Sequence, residues 1–575
     1  MEYRQNYDKW LNESYFDESV REELMNINNN EEEIKDRFYK NLTFGTAGLR
    51  GKIGAGTNRM NKYTVALASQ ALALTIISQG GDIAKNRGVA IAYDTRKFSD
   101  VFAKTAALVL AYNGIKVYLF DEIKPTPVLA YTIRKLGCYS GIMITASHNP
   151  KEYNGYKVYW NEGSQILSDI ADKIIDEIES IKDITMISLM DESDALQKGL
   201  LKIIDAEIYD AYIKDVLNLS LRQKIDKDLN IIYTPLNGTG NRPVRRVLKE
   251  RGFKNVFVVK EQENPDPNFT TVGYPNPENI NVFDYAKRLG KQKQGDIIIA
   301  TDPDCDRMAC MVTNKDKDYT FLNGNQIGAL LINYILDARK EQNTIPKNGV
   351  IVKTIVTGEL GKKIAQSYGV ETIETLTGFK NICQNKNGYE KNGKYKFIFG
   401  YEESIGYVYS TIVRDKDGVI ASMLLCEAAA YYKLQGKTLL DVLEELFQKY
   451  GYFNEKLVSI ILEGKDGRER INRIMGRLKK NYLRQINNNK IDIFINYEEG
   501  KKYNLKLNTV EDVKLPNTNG VKFVFEDNSW FAVRPSGTEP KLKIYIYSIS
   551  DTKKDSEEKT KKIEKVIMEM IEKVN

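Results

Sequence analysis

A serine stands where an apolar, strand-like run of the sequence ends and a polar loop begins. Ser147 lies in residues 145–150 (TASHNP), directly after the run GIMI. A serine hydroxyl in such a loop can carry a phosphoryl group. A capped turn before proline is the alternative, because serine and asparagine often cap turns. Asn154 and Gly155 predict a tight turn that would return Lys157 towards the serine, where a lysine can hold a phosphate or move a proton.

Three carboxylates alternate at the end of a second apolar run. Asp302, Asp304 and Asp306 belong to the segment TDPDCDR, which follows DIIIA. Hard oxygen ligands of this kind bind a divalent cation, which would offset the charge of a phosphoserine. An EF-hand is not indicated, because its loop needs glycine and glutamate where this chain has Arg307 and Thr313. An Asp-nucleophile phosphatase also fits the spacing, but Mg²⁺ ligation is preferred because a separate serine is available to accept the phosphoryl group.

The chain contains a single histidine, His148, beside Ser147. A histidine metal site would depend on that one residue. A Ser-His-Asp triad is disfavoured, because the base of a triad approaches its nucleophile from elsewhere in the fold.

Three further loops carry polar groups. Residues 400–406 (GYEESIG) combine two carboxylates with a hydroxyl, which suits sugar hydroxyls, although acids at a helix N-terminus are the simpler interpretation. Residues 534–541 (RPSGTEPK) suit an oxyanion slightly better than a plain turn between strands. Residues 45–51 (GTAGLRG), which include Arg50, indicate by themselves only a flexible loop.

Composition predicts a multidomain globular protein. The chain has 575 residues, 42% hydrophobic and 28% charged, with a formal net charge of +6. No basic block with interleaved aromatic residues stands out, so nucleic acid is not indicated, although the excess could favour an anionic small substrate. No signal peptide or membrane-spanning run is evident, and five scattered cysteines suit a reducing compartment. We therefore expect a cytoplasmic protein without a membrane partner.

The elements that must position these residues follow one repeated pattern. Apolar strands followed by polar loops and helical patterns begin at residues 88, 230 and 349. Each is followed by two further strand candidates, at 117–120 and 142–145, at 256–259 and 297–301, and at 370–373 and 397–399. Such alternation argues for mixed or parallel sheets. The last part of the chain differs, with half-exposed strands at 520–525 and 541–547 and a charged helical tail at 556–574.

Taken in order, these loops resemble those of the α-D-phosphohexomutase superfamily, which includes phosphoglucomutases and phosphomannomutases. The segments TASHNP and DPDCDR are highly specific, and the resemblance covers nearly the whole chain. The forms FGTAGLR and NGYKVYW resemble the phosphoglucomutase-2 and phosphopentomutase-like subgroup. The resemblance implies an α/β fold of four domains around a central cleft, namely three similar α/β sheet domains and a smaller α+β C-terminal domain. We place them at 1–204 with the phosphoserine loop, 205–320 with the metal-binding loop, 321–448 with the sugar-binding loop and 449–575 with the phosphate-binding loop.

The resemblance also implies roles for single residues. Ser147 would be the phosphoserine and would bind Mg²⁺ with Asp302, Asp304 and Asp306. His148 and Lys157 would be candidate proton carriers, and Arg50 would contact the phosphoserine loop. The implied substrate-binding residues are Arg307, Thr377, Gly378, Glu402, Ser404, Lys416, Arg534, Ser536, Gly537 and Thr538. Two features depart from many relatives, namely Tyr401 in place of a glycine before the sugar-binding glutamate, and the lack of further histidines.

The activity that the resemblance implies is the interconversion of glucose 1-phosphate and glucose 6-phosphate. It would proceed through a phosphoserine enzyme, with Mg²⁺ as cofactor and glucose 1,6-bisphosphate as activator and intermediate. A phosphomannomutase or phosphopentomutase of the same family is the first alternative. An Asp-nucleophile phosphatase and a catalytically silent phosphosugar-binding protein are further alternatives. The expected partner is a small phosphosugar, and the expected oligomeric state is a monomer or a homodimer.

Overall fold

The computed structural model describes residues 2–45, 48–204, 206–462, 464–480, 483–486, 489–536 and 541–574. The chain divides into two compact units. The first comprises Met1–Ile351 and Phe379–Leu439, and the second comprises Val352–Gly378 and Leu440–Asn575. None of the described helices combines the length and apolarity that crossing a membrane requires.

Three short helices open the first unit, and the sequence patterns had not singled them out. They are α1 (Glu2–Asn12), α2 (Glu18–Asn26) and α3 (Glu31–Phe38). Their buried faces meet in an aromatic cluster, in which the rings of Trp10 and Phe16 stack at 4.3 Å.

The first sheet has six strands in the order β1-β5-β4-β2-β3-β6. Its elements are β1 (Leu49–Lys52), α4 (Lys62–Arg87), β2 (Val89–Tyr93), α5 (Ser99–Tyr112), β3 (Val117–Leu119), α6 (Thr126–Leu136), β4 (Ser140–Ile144), β5 (Tyr153–Trp160), α7 (Ser168–Ser180), α8 (Glu192–Gln197) and β6 (Leu201–Ile203). Strands β2 and β4 are parallel neighbours, and their apolar residues are buried as in a sheet covered on both faces. Because their carboxyl ends lie at one edge, the loops that start at Asp94 and Thr145 meet there.

The tight turn predicted at Asn154 and Gly155 is wrong, because both residues lie inside strand β5. Lys157 returns towards the serine loop instead because β5 runs antiparallel to β4, with Lys157 opposite Met143. Gly155 serves close packing, since a Cβ there would lie 2.5 Å from the carbonyl oxygen of Thr145. The amide of Asn154 donates to the Ser99 hydroxyl at 3.0 Å.

The second sheet has the order β11-β10-β9-β7-β8. Its elements are α9 (Ala206–Leu217), β7 (Asn230–Thr234), α10 (Asn241–Glu250), β8 (Asn255–Val258), α11 (Asp284–Lys293), β9 (Ile297–Thr301), β10 (Met308–Thr313) and β11 (Tyr319–Leu322). The predicted strands at 256–259 and 297–301 are confirmed by β8 and β9. Strands β9 and β10 pair as a hairpin, with Thr301 opposite Met308. The aspartate loop is therefore the tight connection of this hairpin.

The third region contributes α12 (Gly324–Glu341), β12 (Gly349–Thr354), α13 (Leu360–Ser367), β13 (Glu371–Thr375), α14 (Phe379–Asn392), β14 (Lys396–Glu402), β15 (Gly406–Tyr409), α15 (Gly418–Lys433) and α16 (Leu439–Tyr450). The candidate strand at 370–373 forms, but most of β13 is only partly buried. Strands β14 and β15 form an antiparallel hairpin whose loop starts at Glu402. The acids of this loop therefore do not sit at a helix N-terminus.

The C-terminal region carries an eight-stranded sheet, ordered β16-β23-β22-β21-β18-β19-β20 with β17 paired to β18. Its elements are β16 (Tyr452–Ile461), α17 (Gly464–Lys480), β17 (Gln485–Ile486), β18 (Asn489–Asn496), β19 (Lys501–Asn504), β20 (Thr509–Asp512), β21 (Val521–Phe525), β22 (Trp530–Pro535), β23 (Lys541–Ser550) and α18 (Lys553–Glu572). The predicted tail helix is α18, which packs its isoleucines into the core of this region. Three α/β domains followed by a domain rich in β-strand confirm the predicted fold class.

Candidate active site

Ser147 lies at the carboxyl end of β4 in an uncommon backbone conformation. Its φ is 53°, in the left-handed region, and the side chain is buried. The Ser147 hydroxyl donates to Asp302 Oδ2 at 2.8 Å and lies 3.1 Å from His148 Nδ1. The structure thus brings the serine loop and the aspartate loop into direct contact, although 155 residues separate Ser147 from Asp302.

The three aspartates form one compact and fully buried group. Asp302, Asp304 and Asp306 each offer a carboxylate oxygen, and these oxygens lie within 4.8 Å of one another. The loop is closely packed, because a Cβ on Gly418 would lie 2.7 Å from the carbonyl oxygen of Cys305. The hairpin between β9 and β10 therefore gathers side chains of like charge at buried positions.

This donor set fits a hard divalent cation. Asp304 Oδ1 and Asp306 Oδ1 are buried and have no hydrogen-bond partner among the described residues. Burial raises the pKa of Asp302 well above its ordinary value, and the charges of Asp304 and Asp306 raise it further. A cation coordinated by these oxygens would satisfy the two orphaned atoms and relieve the repulsion among the three carboxylates.

Two lysines bring positive charge to the group. Lys157 Nζ lies 2.8 Å from Asp304 and 3.6 Å from Asp306, and Lys416 Nζ lies 3.0 Å from Asp306. Burial alone would lower the pKa of Lys157, but the two carboxylates outweigh it and the pKa is raised. Lys157 is therefore held as an ammonium. The same ammonium holds the pKa of Asp304 below its ordinary value, against the effect of burial.

The structure adds Thr126, which the sequence patterns did not indicate. Its hydroxyl donates to Asp304 Oδ2 at 2.7 Å, and its amide donates to the Asp304 carbonyl at 2.9 Å. Thr126 begins α6, so one helix start holds the middle aspartate. No local pattern could reveal this contact, since the two residues are 178 positions apart.

His148 lies beside the serine as a neutral imidazole. Burial lowers its pKa well below the ordinary value, and the positive charges of Arg307 and Arg50 lower it further. Arg50 Nη1 also lies 3.4 Å from Asn149 Oδ1, so this arginine contacts the serine loop.

The loop after β14 packs against the aspartate loop. Arg307 donates from its side chain to the carbonyl of Ser404 at 3.2 Å and from its amide to Asp302 at 3.0 Å. Glu402 is buried in the same loop. Gly406 makes room for Lys416, since a Cβ at Gly406 would lie 2.3 Å from Lys416 Cδ.

The remaining candidate residues belong to the second unit. Thr377 and Gly378 precede α14, and Gly378 has a φ of 106°, which favours glycine. Arg534 is half-buried on β22 opposite Lys543, and the amide of Ser536 donates to the Lys541 carbonyl at 2.8 Å. The other two residues of the predicted phosphate cradle, Gly537 and Thr538, lie outside the described residues.

Four family models match the chain in order. Those for the alpha/beta/alpha domains I, II and III of phosphoglucomutase/phosphomannomutase match residues 41–185, 210–315 and 323–450. The model for the C-terminal domain matches residues 495–567. The serine, aspartate and 400–406 loops fall within the first, second and third matches respectively.

Similar proteins and structures agree with these matches. A phosphoglucomutase of Staphylococcus haemolyticus (strain JCSC1435) is 38% identical over 509 residues, which cover 88% of this chain and 90% of that protein. A phosphoglucomutase of Staphylococcus aureus (strain bovine RF122 / ET3-1) is 38% identical over 514 residues, covering 89% and 91%. The open form of pp63/parafusin (phosphoglucomutase) from Paramecium shares the fold, with a TM-score of 0.69 at 20% identity over 93% of this chain and 95% of that chain. The chain therefore belongs to the phosphoglucomutase/phosphomannomutase family.

Proposed function

We propose that the chain is a phosphoglucomutase that interconverts glucose 1-phosphate and glucose 6-phosphate through phosphorylated Ser147. Glucose 1,6-bisphosphate would be both the intermediate and the activator. The observation that carries the proposal is the buried Ser147 hydroxyl, 2.8 Å from the first of three clustered aspartates. The names of relatives 38% identical over most of the chain favour glucose as the sugar.

Asp302, Asp304 and Asp306 would hold Mg²⁺ together with an oxygen of the phosphoryl group on Ser147. When bound, this ion supplies positive charge to the transferring group. Phosphoryl transfer depends mainly on positioning and charge neutralisation. The protein contributes both, because the Ser147 hydroxyl is oriented by a hydrogen bond and Lys157 brings a second positive charge to Asp304.

Two residues, Lys157 and His148, would hold or move protons during the transfer. Lys157 is held as an ammonium and would donate a proton or a hydrogen bond to an oxygen of the transferring phosphoryl group. His148 has a depressed pKa and is neutral. Because the Ser147 hydroxyl already donates to Asp302, His148 Nδ1, which lies 3.1 Å from the serine oxygen, would donate a hydrogen bond to it. Arg50 would keep the serine loop in place through Asn149.

The sugar would be bound by the loop after β14. Glu402 and Ser404 would bind its hydroxyl groups, and Arg307 and Lys416 would lie beside its phosphate. The segment with Thr377 and Gly378 would help to orient the sugar. The non-transferred phosphate would be held by Arg534, Ser536, Gly537 and Thr538.

The deciding experiment measures turnover of glucose, mannose and ribose 1-phosphates, each with and without the matching sugar bisphosphate. We expect glucose 6-phosphate to form fastest and the bisphosphate to activate. Faster turnover of mannose or ribose 1-phosphate would reassign the sugar within the family. Release of inorganic phosphate without isomerisation would contradict the mutase proposal.

A further inference from the structure

A buried arginine in the loop after β2 holds the serine loop. The Arg96 side chain is fully buried, and its guanidinium donates to the carbonyls of Ser147, Asn149, Pro150 and Tyr153. The distance to the Ser147 carbonyl is 2.6 Å. A buried cation is costly unless it is paired and hydrogen-bonded, so this placement has to be supported by its surroundings.

Two groups supply that support. Asp94 Oδ2 lies 3.4 Å from Arg96 Nε, and Asp94 Oδ1 accepts the amide of Arg96 at 3.0 Å. On the other side, the centre of the Phe269 ring lies 5.1 Å from the guanidinium carbon. Phe269 is itself fully buried and belongs to the loop after β8, so the second sheet domain covers an arginine of the first.

The pair of Asp94 and Arg96 holds both peptide groups of Ser147. The carbonyl of Ser147 accepts from Arg96 directly. Its amide donates at 2.8 Å to the hydroxyl of Thr145, which donates to Asp94 Oδ2 at 2.6 Å. These bonds enclose the one residue of the loop whose φ is left-handed, a conformation that a serine rarely adopts without support.

All hydrogen bonds described for the Arg96 side chain end on backbone carbonyls of residues 147–153. The direction of the Ser147 Cα–Cβ bond follows from the peptide groups on either side of it. That direction places the hydroxyl 2.8 Å from Asp302. Arg96 thus acts on the hydroxyl only through the backbone.

We propose that Arg96, supported by Asp94 and Phe269, is a positioning residue for phosphoryl transfer. Arg96 orients the Ser147 oxygen towards the aspartate loop and the incoming phosphosugar. The inference rests on the proposed mutase function. It assigns a role to residues 94–96 after β2, none of which is among the predicted site residues.

The test compares Arg96→Met and Arg96→Lys with the control Arg87→Lys. Arg87 also donates to two backbone carbonyls, those of Gly137 and Cys138, at 2.8 and 3.1 Å, but outside the serine loop. For Arg96→Met we expect kcat to fall about 100-fold with KM nearly unchanged, because misplacement of a reacting atom slows the chemical step more than binding. Arg96→Lys should lie between this variant and wild type, since an ammonium cannot match a planar fork of donors. Arg87→Lys should keep the wild-type kcat.

A second measurement separates positioning from folding. Phosphorylation of Ser147 by glucose 1,6-bisphosphate is monitored by intact mass in a single turnover, and its rate should fall in parallel with kcat. The melting temperature reports folding separately. If kcat per folded molecule stays at the wild-type value in both Arg96 variants, the proposal is overturned and Arg96 is only structural. If Arg96→Met does not fold, Arg96→Lys and Phe269→Leu decide, and unchanged kcat in both overturns the proposal. Wild type is assayed first, because absence of glucose phosphate turnover in wild type counts against the proposed function and not against Arg96.

Discussion

At the scale of single residues, the site depends on groups whose chemistry is altered by burial. Asp302 has a raised pKa, Asp304 a lowered one and His148 a lowered one, although all three lie within one small volume. Burial raises the pKa of Asp302 and lowers that of His148, which nearby arginines lower further, whereas Lys157 lowers the pKa of Asp304 against the effect of burial. Such divergent pKa shifts in one place are typical of a catalytic site.

Replacing Ser147 with alanine tests the phosphoryl acceptor. We expect kcat to fall by several orders of magnitude, because the group that carries the phosphoryl is lost while the substrate-binding residues remain. Substrate binding, measured by calorimetry, should stay close to wild type. Ser140→Ala is the matched control, since Ser140 is also buried and begins strand β4. Its hydroxyl donates to the carbonyl of Tyr159 at 2.7 Å. Near-normal turnover in Ser147→Ala would refute the phosphoserine.

At the scale of elements, close contacts between strands place the functional side chains. Strand β5 carries Lys157 and lies between β1 and β4, so its backbone has to approach both neighbours. A Cβ at Gly155 would lie 2.5 Å from the carbonyl oxygen of Thr145 and 2.9 Å from that of Leu49. These are backbone atoms on both sides, which cannot rotate away as a flexible side chain would.

Gly155→Ala should therefore destabilise the fold and slow the reaction. We expect a loss of about 1–3 kcal/mol in the free energy of unfolding, as for other overpacked cores. The kcat should fall as well, because displacement of β5 moves Lys157. Gly388→Ala in helix α14 is the control, since a Cβ there meets nothing within 4 Å and alanine favours a helix. Denaturant unfolding measures both variants, and equal stabilities would show that β5 has room for a side chain.

Helix α15, which follows the loop of Lys416, begins with an unusual cap. Asp417 accepts the amides of Val419 and Ile420 at 2.9 and 2.8 Å and the hydroxyl of Tyr212 at 2.9 Å. Burial raises its pKa from 3.8 to about 6, more than these hydrogen bonds lower it. Between these two values the folded state binds more protons than the unfolded state, so Asp417 reduces stability as the pH rises through this window.

Asp417→Asn should stabilise the protein at neutral pH. Asparagine caps helices as well as aspartate does and carries no buried charge. The gain, on the order of 2 kcal/mol above pH 6, should shrink as the pH falls towards 4. Asp191→Asn is the control, because hydrogen bonding with Ser193 lowers the pKa of this exposed cap. Asp191→Asn should cause a small loss of stability that grows with pH. A loss of stability of the same kind in Asp417→Asn would contradict a destabilising charge on Asp417.

At the scale of the whole molecule, we expect the aspartate cluster to make the stability of the fold depend on a bound cation. Three buried carboxylates repel one another, and two of their oxygens have no hydrogen-bond partner in the part of the chain that the structure describes. The side chains of Thr126, Ser147 and Lys416 contact these carboxylates, so the cluster connects distant parts of the first unit. A bound cation should therefore stabilise the fold as well as support the reaction.

Removal of divalent metal should abolish turnover and lower the melting temperature, and Mg²⁺ should restore both. At a hundredfold excess over Kd, binding to the folded state alone stabilises by about 2.7 kcal/mol. Asp304→Asn should lose most of this Mg²⁺-dependent shift, whereas Ser147→Ala should keep most of it. KCl at equal ionic strength is the control. Full activity after exhaustive chelation would exclude an essential metal.

The candidate site residues and the class of the fold could both be predicted from local patterns in the sequence. Ser147 and the three aspartates could be found because their types, their spacing and their position after apolar strands are local properties of the chain. The alternation of strands and helices predicted three α/β domains for the same reason.

The contacts between side chains and the directions of their pKa shifts depend on the folded chain and could not be predicted. The bonds from Arg96 to the serine loop and from Thr126 to Asp304 join segments far apart in sequence, so no local pattern could indicate them. Asn154 and Gly155 were misread as a turn, because the packing of β5 between two strands outweighs a dipeptide preference. The charge states of His148 and Asp302 follow from burial and from neighbouring charges, which exist only once the chain has folded.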